Sequence, residues 1–135
     1  VFSVLEEANG QILFGGYFKH IDSIGYKYMA RLNADCSLDE SFKPDLGELG
    51  WVYCIDQQPD GRIIIGGEFT SVDGVQRSRV ARVNEDGSLD DYFDPGEGTN
   101  ESVKIVKVQD NGRIHLGREF DLYNDEPRQH IAKVN

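Results

Sequence analysis

The chain is poor in the residues from which special-purpose sites are usually built. It has only two cysteines in 135 residues, Cys36 and Cys54, with no C-x-x-C spacing. That excludes a disulfide scaffold, and both are expected to be unpaired structural residues. Its three histidines, His20, His115 and His130, are scattered, which offers no convergent zinc-ligand set. Positive charge is also scarce: 14 Lys and Arg face 24 Asp and Glu, for a net charge of −10. A nucleic-acid binder needs cations to neutralise phosphates, and an anionic membrane surface asks for the same, so neither partner is expected. No apolar run reaches the roughly 18 residues of a membrane span. The opening Val1-Phe2-Ser3-Val4 has no Met, basic region or long apolar stretch. It does not read as a secretory leader but as a strand cut from something longer. No nucleophile elbow, His-Glu-x-x-His helix or phosphate-cradling glycine loop is present.

What the chain does have is a repeat at an offset of 51 residues. Asn9-Gly10 returns as Asp60-Gly61 and Asn111-Gly112, and Ile12 as Ile63 and Ile114. Gly15-Gly16 returns as Gly66-Gly67 and then as Gly117-Arg118; Phe18 returns as Phe69 and Phe120. Ala30-Arg31-Leu32-Asn33 returns as Ala81-Arg82-Val83-Asn84 and Ala132-Lys133-Val134-Asn135. Ser37-Leu38-Asp39 and Phe42-x-Pro44 each return once. No insertion breaks the register. The residues 1–135 therefore form one repeat domain of about 2.7 units: 1–51, 52–102 and 103–135, the last incomplete.

Each unit reads as strands. In the second, residues 52–57 are a short strand, and Pro59-Asp60-Gly61 is a hairpin turn of the kind that favours positive φ. Residues 62–69 form a second strand whose Ile63-Ile64-Ile65 is apolar on both faces, as in a strand covered on both sides. The glycine pair at its end marks a bulge or a close backbone approach. Residues 70–78 read as a polar loop, 79–84 as a third strand and 89–93 as a short fourth. A four-stranded sheet apolar on both faces must stack on its neighbours, and four strands in 40–50 residues is the pattern of a β-propeller blade. A helical repeat is disfavoured by Gly, Asn and Asp punctuation every 8–15 residues, and a parallel solenoid normally has shorter coils. The fold class is therefore all-β: four-stranded antiparallel propeller blades.

The assembled motif is Gln-Pro-Asp-Gly-Arg-Ile-x-Ile-Gly-Gly-x-Phe-Thr-Ser-Val-x-Gly, then Arg-x-Ala-Arg-x-Asn-x-Asp-Gly-Ser-Leu-Asp-x-x-Phe-x-Pro-Gly. It resembles the delta-60-type repeat, a bacterial β-propeller repeat of largely uncharacterised function. Residues 57–96 match nearly position for position. Residues 9–44 depart at Cys36, where the pattern has Gly, and at Tyr17. Residues 111–135 depart at His115 and Arg118. The double-Gly strand ends are similar to kelch repeats, without the kelch Trp. The resemblance implies the fold and leaves the activity open, because propellers host unrelated functions.

Closed propellers have about four to eight blades, so the terminal blades here are expected to expose apolar faces unless something covers them. Two completions fit: further blades of a longer chain, which the strand-like first residues favour, or a homo-oligomer closing the ring.

Acid is concentrated in unit two, which carries 11 Asp and Glu against 4 basic residues, whereas units one and three stand at −4 and +1. Asn84, Asp86 and Asp90, around Gly87, are spaced as oxygen ligands for Ca²⁺, although the twelfth position of an EF-hand loop would be Pro95. The plainer reading is a solvated turn in which Asn and Asp serve their usual roles. No other cofactor is expected. Arg31, Arg82 and Lys133 form one repeating position and Asp22, Asp73 and Asn124 another. Ion pairs within a blade or carboxylate-to-backbone bonds explain both, and a repeated ligand pocket is the sharper alternative. Trp51, Tyr17, Tyr26, Tyr28 and Tyr53 suit sugar stacking, but Tyr26 and Tyr28 become Arg77 and Arg79 in the next unit, which argues against one glycan site per blade. The functional expectation is a structural or protein-interaction module without catalysis, in a bacterial or phage surface or secreted protein. The alternatives are a carbohydrate-binding propeller, or a piece of a propeller hydrolase or lyase.

Overall fold

The computed structural model describes residues 1–117, 122–123, 126–127 and 131–134. Every regular element among them is a strand. Unit one holds β1 (Ser3–Glu6), β2 (Ile12–Gly15), a small hairpin of β3 (His20–Ile21) and β4 (Ile24–Gly25), and β5 (Met29–Leu32). Unit two repeats the order with β6 (Trp51–Gln57), β7 (Ile63–Glu68), β8 (Ser71–Val72), β9 (Val75–Gln76) and β10 (Val80–Val83). Unit three follows with β11 (Ile105–Val108), β12 (Ile114–Gly117), β13 (Leu122–Tyr123), β14 (Glu126–Pro127) and β15 (Ile131–Val134). Each unit is one antiparallel meander: β1-β2-β5, β6-β7-β10 and β11-β12-β15. The register also repeats, with Ser3 opposite Gly15, Cys54 opposite Gly66 and Ile105 opposite Gly117.

Two details differ from the sequence expectation. The fourth strand at residues 89–93 is a single bridge, Val83 to Leu89, matched by Leu32 to Leu38 in unit one. The cause is local. One residue later Asp90 Oδ1 accepts the Tyr92 N–H at 3.0 Å and the Phe93 N–H reaches the Asp90 carbonyl at 3.2 Å. A side chain that bonds its own backbone two residues on turns the chain away from the ladder. Asp39 does the same with Ser41 and Phe42. The polar stretch 70–78, in turn, is not a plain loop but contains the β8–β9 hairpin. Its turn residues Asp73 (φ 50°) and Gly74 (φ 78°) are both left-handed, the geometry that matches strand twist in a two-residue hairpin.

The blades stack through alternating side chains. Successive residues of a strand face opposite ways, and along β7 Ile63 and Ile65 pack toward unit one while Ile64 packs toward unit three. The first core joins Leu13 and Met29 of unit one to Val52, Ile55, Ala81 and Val83 of unit two. The second joins Cys54, Ile64 and Val80 to Val103, Val106, Ile114 and Leu116 of unit three. The isoleucine triplet is thus buried on both faces, as its composition required.

The glycine pair does both jobs that the sequence suggested. A Cβ on Gly15 would stand 2.5 Å from Val52 Cγ1 of the next blade, and one on Gly66 would stand 2.8 Å from Val103 Cγ1. The first glycine of each pair is therefore the seat for a valine that repeats at the same offset. The second lies against its own inner strand: a Cβ on Gly67 would collide with the Trp51 carbonyl, beside the register shift between Val52 and Cys54.

Cys36 is exposed and unpaired, with φ 68° where Gly87 has φ 88°. A side chain in the left-handed region costs about 1 kcal/mol or more. Cys36→Gly is expected to raise stability by about 1 kcal/mol in equilibrium denaturation, and an unchanged or lowered midpoint would contradict the assignment of strain to this turn.

Candidate functional site

The charged residues at repeating positions are bound into one module. Arg31 Nε donates to Asp39 Oδ2 at 2.8 Å, and Arg82 Nε to Asp90 Oδ2 at the same distance. Each guanidinium lies over an aromatic ring of its own unit, Arg31 at 4.6 Å from the Phe42 centroid and Arg82 at 5.0 Å from that of Phe93. Each outer nitrogen then turns to the hairpin: Arg82 Nη1 donates to Gln58 Oε1 at 3.1 Å, and Arg31 Nη1 lies 3.7 Å from Glu7 Oε2. Burial alone would raise the carboxyl pKa values of Asp39 and Asp90. For Asp39 the Ser41 hydroxyl and N–H and the Arg31 guanidinium outweigh it; for Asp90 the Tyr92 N–H and Arg82 and Arg62 do. Both carboxyls are held below the ordinary range. The ion pair within a blade, expected for the Arg31 and Arg82 position, is therefore present, and Lys133 stands opposite His115 across β12 and β15.

Asp73 serves the backbone, as expected: its Oδ1 accepts from Asp45 N at 3.0 Å and its Oδ2 from Leu89 N at 2.8 Å. It thereby ties the tail of unit one to that of unit two. Asn124 and His130 lie outside the described residues. Cys54 is buried, and burial pushes its thiol up to about 12, which leaves it no thiolate for chemistry at neutral pH.

The three Ca²⁺ candidates are divided. Asn84 Nδ2 donates to Ser88 Oγ at 3.0 Å, and Asp86 Oδ1 accepts from Ser88 N and Oγ. The Ser88 bonds hold the Asp86 carboxyl below the ordinary range. Asp90 instead faces Arg82 and Arg62. Among the described residues no group of three or more His, Cys, Asp or Glu is placed to hold a metal ion.

The five aromatics also separate. Tyr17, Trp51 and Tyr53 gather with Phe2 in edge-on and tilted contacts of 5.0, 6.4 and 5.2 Å. Tyr26 and Tyr28 are buried. Tyr28 has a role that its replacement in the next unit hides. Its hydroxyl donates to the Glu48 carbonyl, and Arg79, 51 residues on, donates through Nη1 to the Thr99 carbonyl at 2.8 Å. Glu48 and Thr99 are themselves 51 apart, so Tyr and Arg perform the same anchoring of the loop to the next blade. A long side chain with a terminal donor was the signal to look for, rather than an aromatic ring.

One concavity does not follow from the repeat. Between units one and two, at the rim formed by the Asn9-Gly10 and Asp60-Gly61 turns, opens a cleft of about 580 Å³. Glu7, Gln11, Arg31, Gln57, Glu85 and Asp86 are among its lining residues. Arg31 crosses it to donate to the Glu85 carbonyl at 2.6 Å. Glu7 Oε1 accepts from Gln57 Nε2 at 2.8 Å, while its buried Oε2 accepts no hydrogen bond.

No curated protein matches the chain. The profile of a β-propeller domain family of unknown function, DUF5122, matches residues 7–42 and 58–93, together just over half of the chain. The two matched segments start 51 residues apart, the period already seen in register, core and glycine seats. With its all-β meanders stacked face to face, the chain belongs to the DUF5122 β-propeller domain family.

Proposed function

We propose that this chain is a non-catalytic propeller scaffold that assembles with further blades of its own kind and presents its rim loops to a protein partner. The observation that carries it is the contrast between equivalent positions inside and outside the stack. Val4 is 64% exposed, whereas Ile55, its counterpart, is 8% exposed against unit one. Val1 is 69% exposed and its counterpart Val52 is fully buried; Ile105 is 62% exposed and its counterpart Cys54 only 7%. These outer faces carry the side chains of an interface. Gly15 and Gly66 seat Val52 and Val103; Gly117 holds the same register position on unit three, and we assign it as the seat for Val1 of a second copy. We commit to a second copy as the occupant when this chain is alone in solution.

Absence of catalysis is supported by what the ionisable groups are doing. Asp39 and Asp90 are tied to arginines and their own turns, and Cys54 is held as a thiol. The Phe2, Tyr17, Trp51 and Tyr53 rings meet edge-on or tilted rather than side by side as a flat platform for sugar stacking. We further read the repeat as of delta-60 type, and on that likeness place the chain in a bacterial or phage surface or secreted protein. Light scattering across a dilution series is expected to show concentration-dependent oligomers. A stable, dilute monomer with cooperative melting would remove the assembly reading.

A further inference from the structure

We infer that the cleft between units one and two is a binding site for an alkylammonium group, the chemistry of a lysine side chain on a partner segment. The inference goes beyond the scaffold reading and does not depend on it, because both walls belong to one copy.

The first argument is the difference between two otherwise parallel units. In unit two the corresponding turn carries a cation of its own. Arg62 stands where unit one has Gln11, with Nε 3.4 Å from Asp90 Oδ2 and Nη1 3.4 Å from Asp60 Oδ2. Tyr92 stands where unit one has Ser41, and Pro59 where it has Ala8. Unit one keeps the same turn, the same Arg–Asp pair and the same register with three smaller or neutral side chains.

The second argument is the state of Glu7. It is 7% exposed, yet Oε2 has no hydrogen-bond donor, and Arg31 Nη1 at 3.7 Å is beyond hydrogen-bond reach. That guanidinium already donates to Asp39 and to the Glu85 carbonyl. Two buried carboxylates, Glu7 and Asp39, therefore share one arginine. A buried acceptor left unsatisfied costs free energy that a bound donor recovers, the more so when the donor is charged. Asp60, Glu85 and Asp86 on the lip add negative charge, and Gln11 and Gln58 add amide groups. The repeat itself shows a cation at this height: the Arg62 guanidinium bridges Asp60 and Asp90 in unit two. An ammonium entering unit one would bring a cation to the equivalent turn from outside, donating to Glu7 Oε2.

Nuclear magnetic resonance titration of the isotopically labelled chain tests this at constant ionic strength. The probes are N-acetyl-lysine methylamide, its Nε-acetylated form and n-butylamine. Saturable shifts are expected around Gly10, Gln57 and Gly61 with the two amines and not with the acetylated form. Tighter binding of the lysine derivative than of butylamine assigns the site to a peptide lysine, and equal binding assigns it to free amines; both outcomes uphold ammonium recognition. Glu7→Gln is tolerated by the fold, since Gln58 fills that place in unit two, and is expected to weaken binding by about tenfold or more. Gln11→Arg supplies the cation found in unit two and is expected to abolish binding while leaving the melting temperature unchanged or raised. Shifts that do not saturate, an acetylated probe that binds equally, or a Glu7→Gln chain that binds as tightly as the parent would each overturn the assignment.

Discussion

Gly66→Val is expected to lower stability by about 3 kcal/mol, at the upper end of the usual cost of overpacking a core. A Cβ at this position would stand 2.7 Å from Cys54 Sγ, 2.8 Å from Val103 Cγ1 and 2.9 Å from Val106 Cγ2. These are not flexible tips that swing aside. Cys54 belongs to the same sheet, while Val103 and Val106 belong to the next blade, so relief requires the two blades to separate. Close-packed interiors transmit such strain rather than absorb it. Gly74→Ala is a useful comparison, because nothing lies within 4 Å of a Cβ there and only the backbone penalty of φ 78° applies. Chemical denaturation should show the Gly66 variant losing two to three times as much as the Gly74 variant. Equal losses would mean that the glycine pair serves turn geometry and not the seating of the next blade.

Asp90→Asn is expected to cost about 3 kcal/mol, because removing one partner of a buried pair leaves the other charge uncompensated. Asn keeps an oxygen for the Tyr92 N–H and loses the charge that faces Arg82 at 2.8 Å and Arg62 at 3.4 Å. The loss carries a pH signature. The Asp90 carboxyl lies below its ordinary value in the folded chain. Its contribution is therefore complete above the unfolded carboxylate pKa of about 3.9 and is lost as pH falls through the lower folded value. The gap between parent and variant should be full at about pH 7 and should narrow markedly by about pH 3. A gap that stays constant over that range would show that Asn fails by shape, not by charge. Asp39 is lowered by the same kind of neighbours, so the Asp90→Asn variant is still expected to lose stability in acid.

The two variants probe parts of the protein that differed in how openly the sequence displayed them. The glycine pair was legible as a bulge or close approach because glycine is the residue that permits either, and its recurrence at a fixed offset removed chance. Ile63-Ile64-Ile65 was legible as a strand buried on both faces because no half-exposed strand has that composition. The repeating Arg31 and Arg82 position was legible as one half of an ion pair within the blade, but its partner, Asp90 for Arg82, was not. The two members of the pair lie eight residues apart across a turn, and no periodicity of helix or strand brings such residues together. Asn84, Asp86 and Asp90 lie close along the chain, but Asn84 and Asp86 bond Ser88 in a local turn while Asp90 faces Arg82 and Arg62.

Sequence alone was enough for the 51-residue period, the turn positions, the apolar faces and the shortage of cations, since each is a property of local composition repeated in register. The tertiary structure decided what lies between the units. It showed that the fourth strand shrinks to one bridge, that Tyr28 and Arg79 reach equivalent carbonyls, and that a cleft opens between units one and two beside Gln11, where unit two has Arg62. The physical reason is that these features depend on distances between side chains from different strands and blades, whereas a repeat in sequence records only which residues recur and not what they meet.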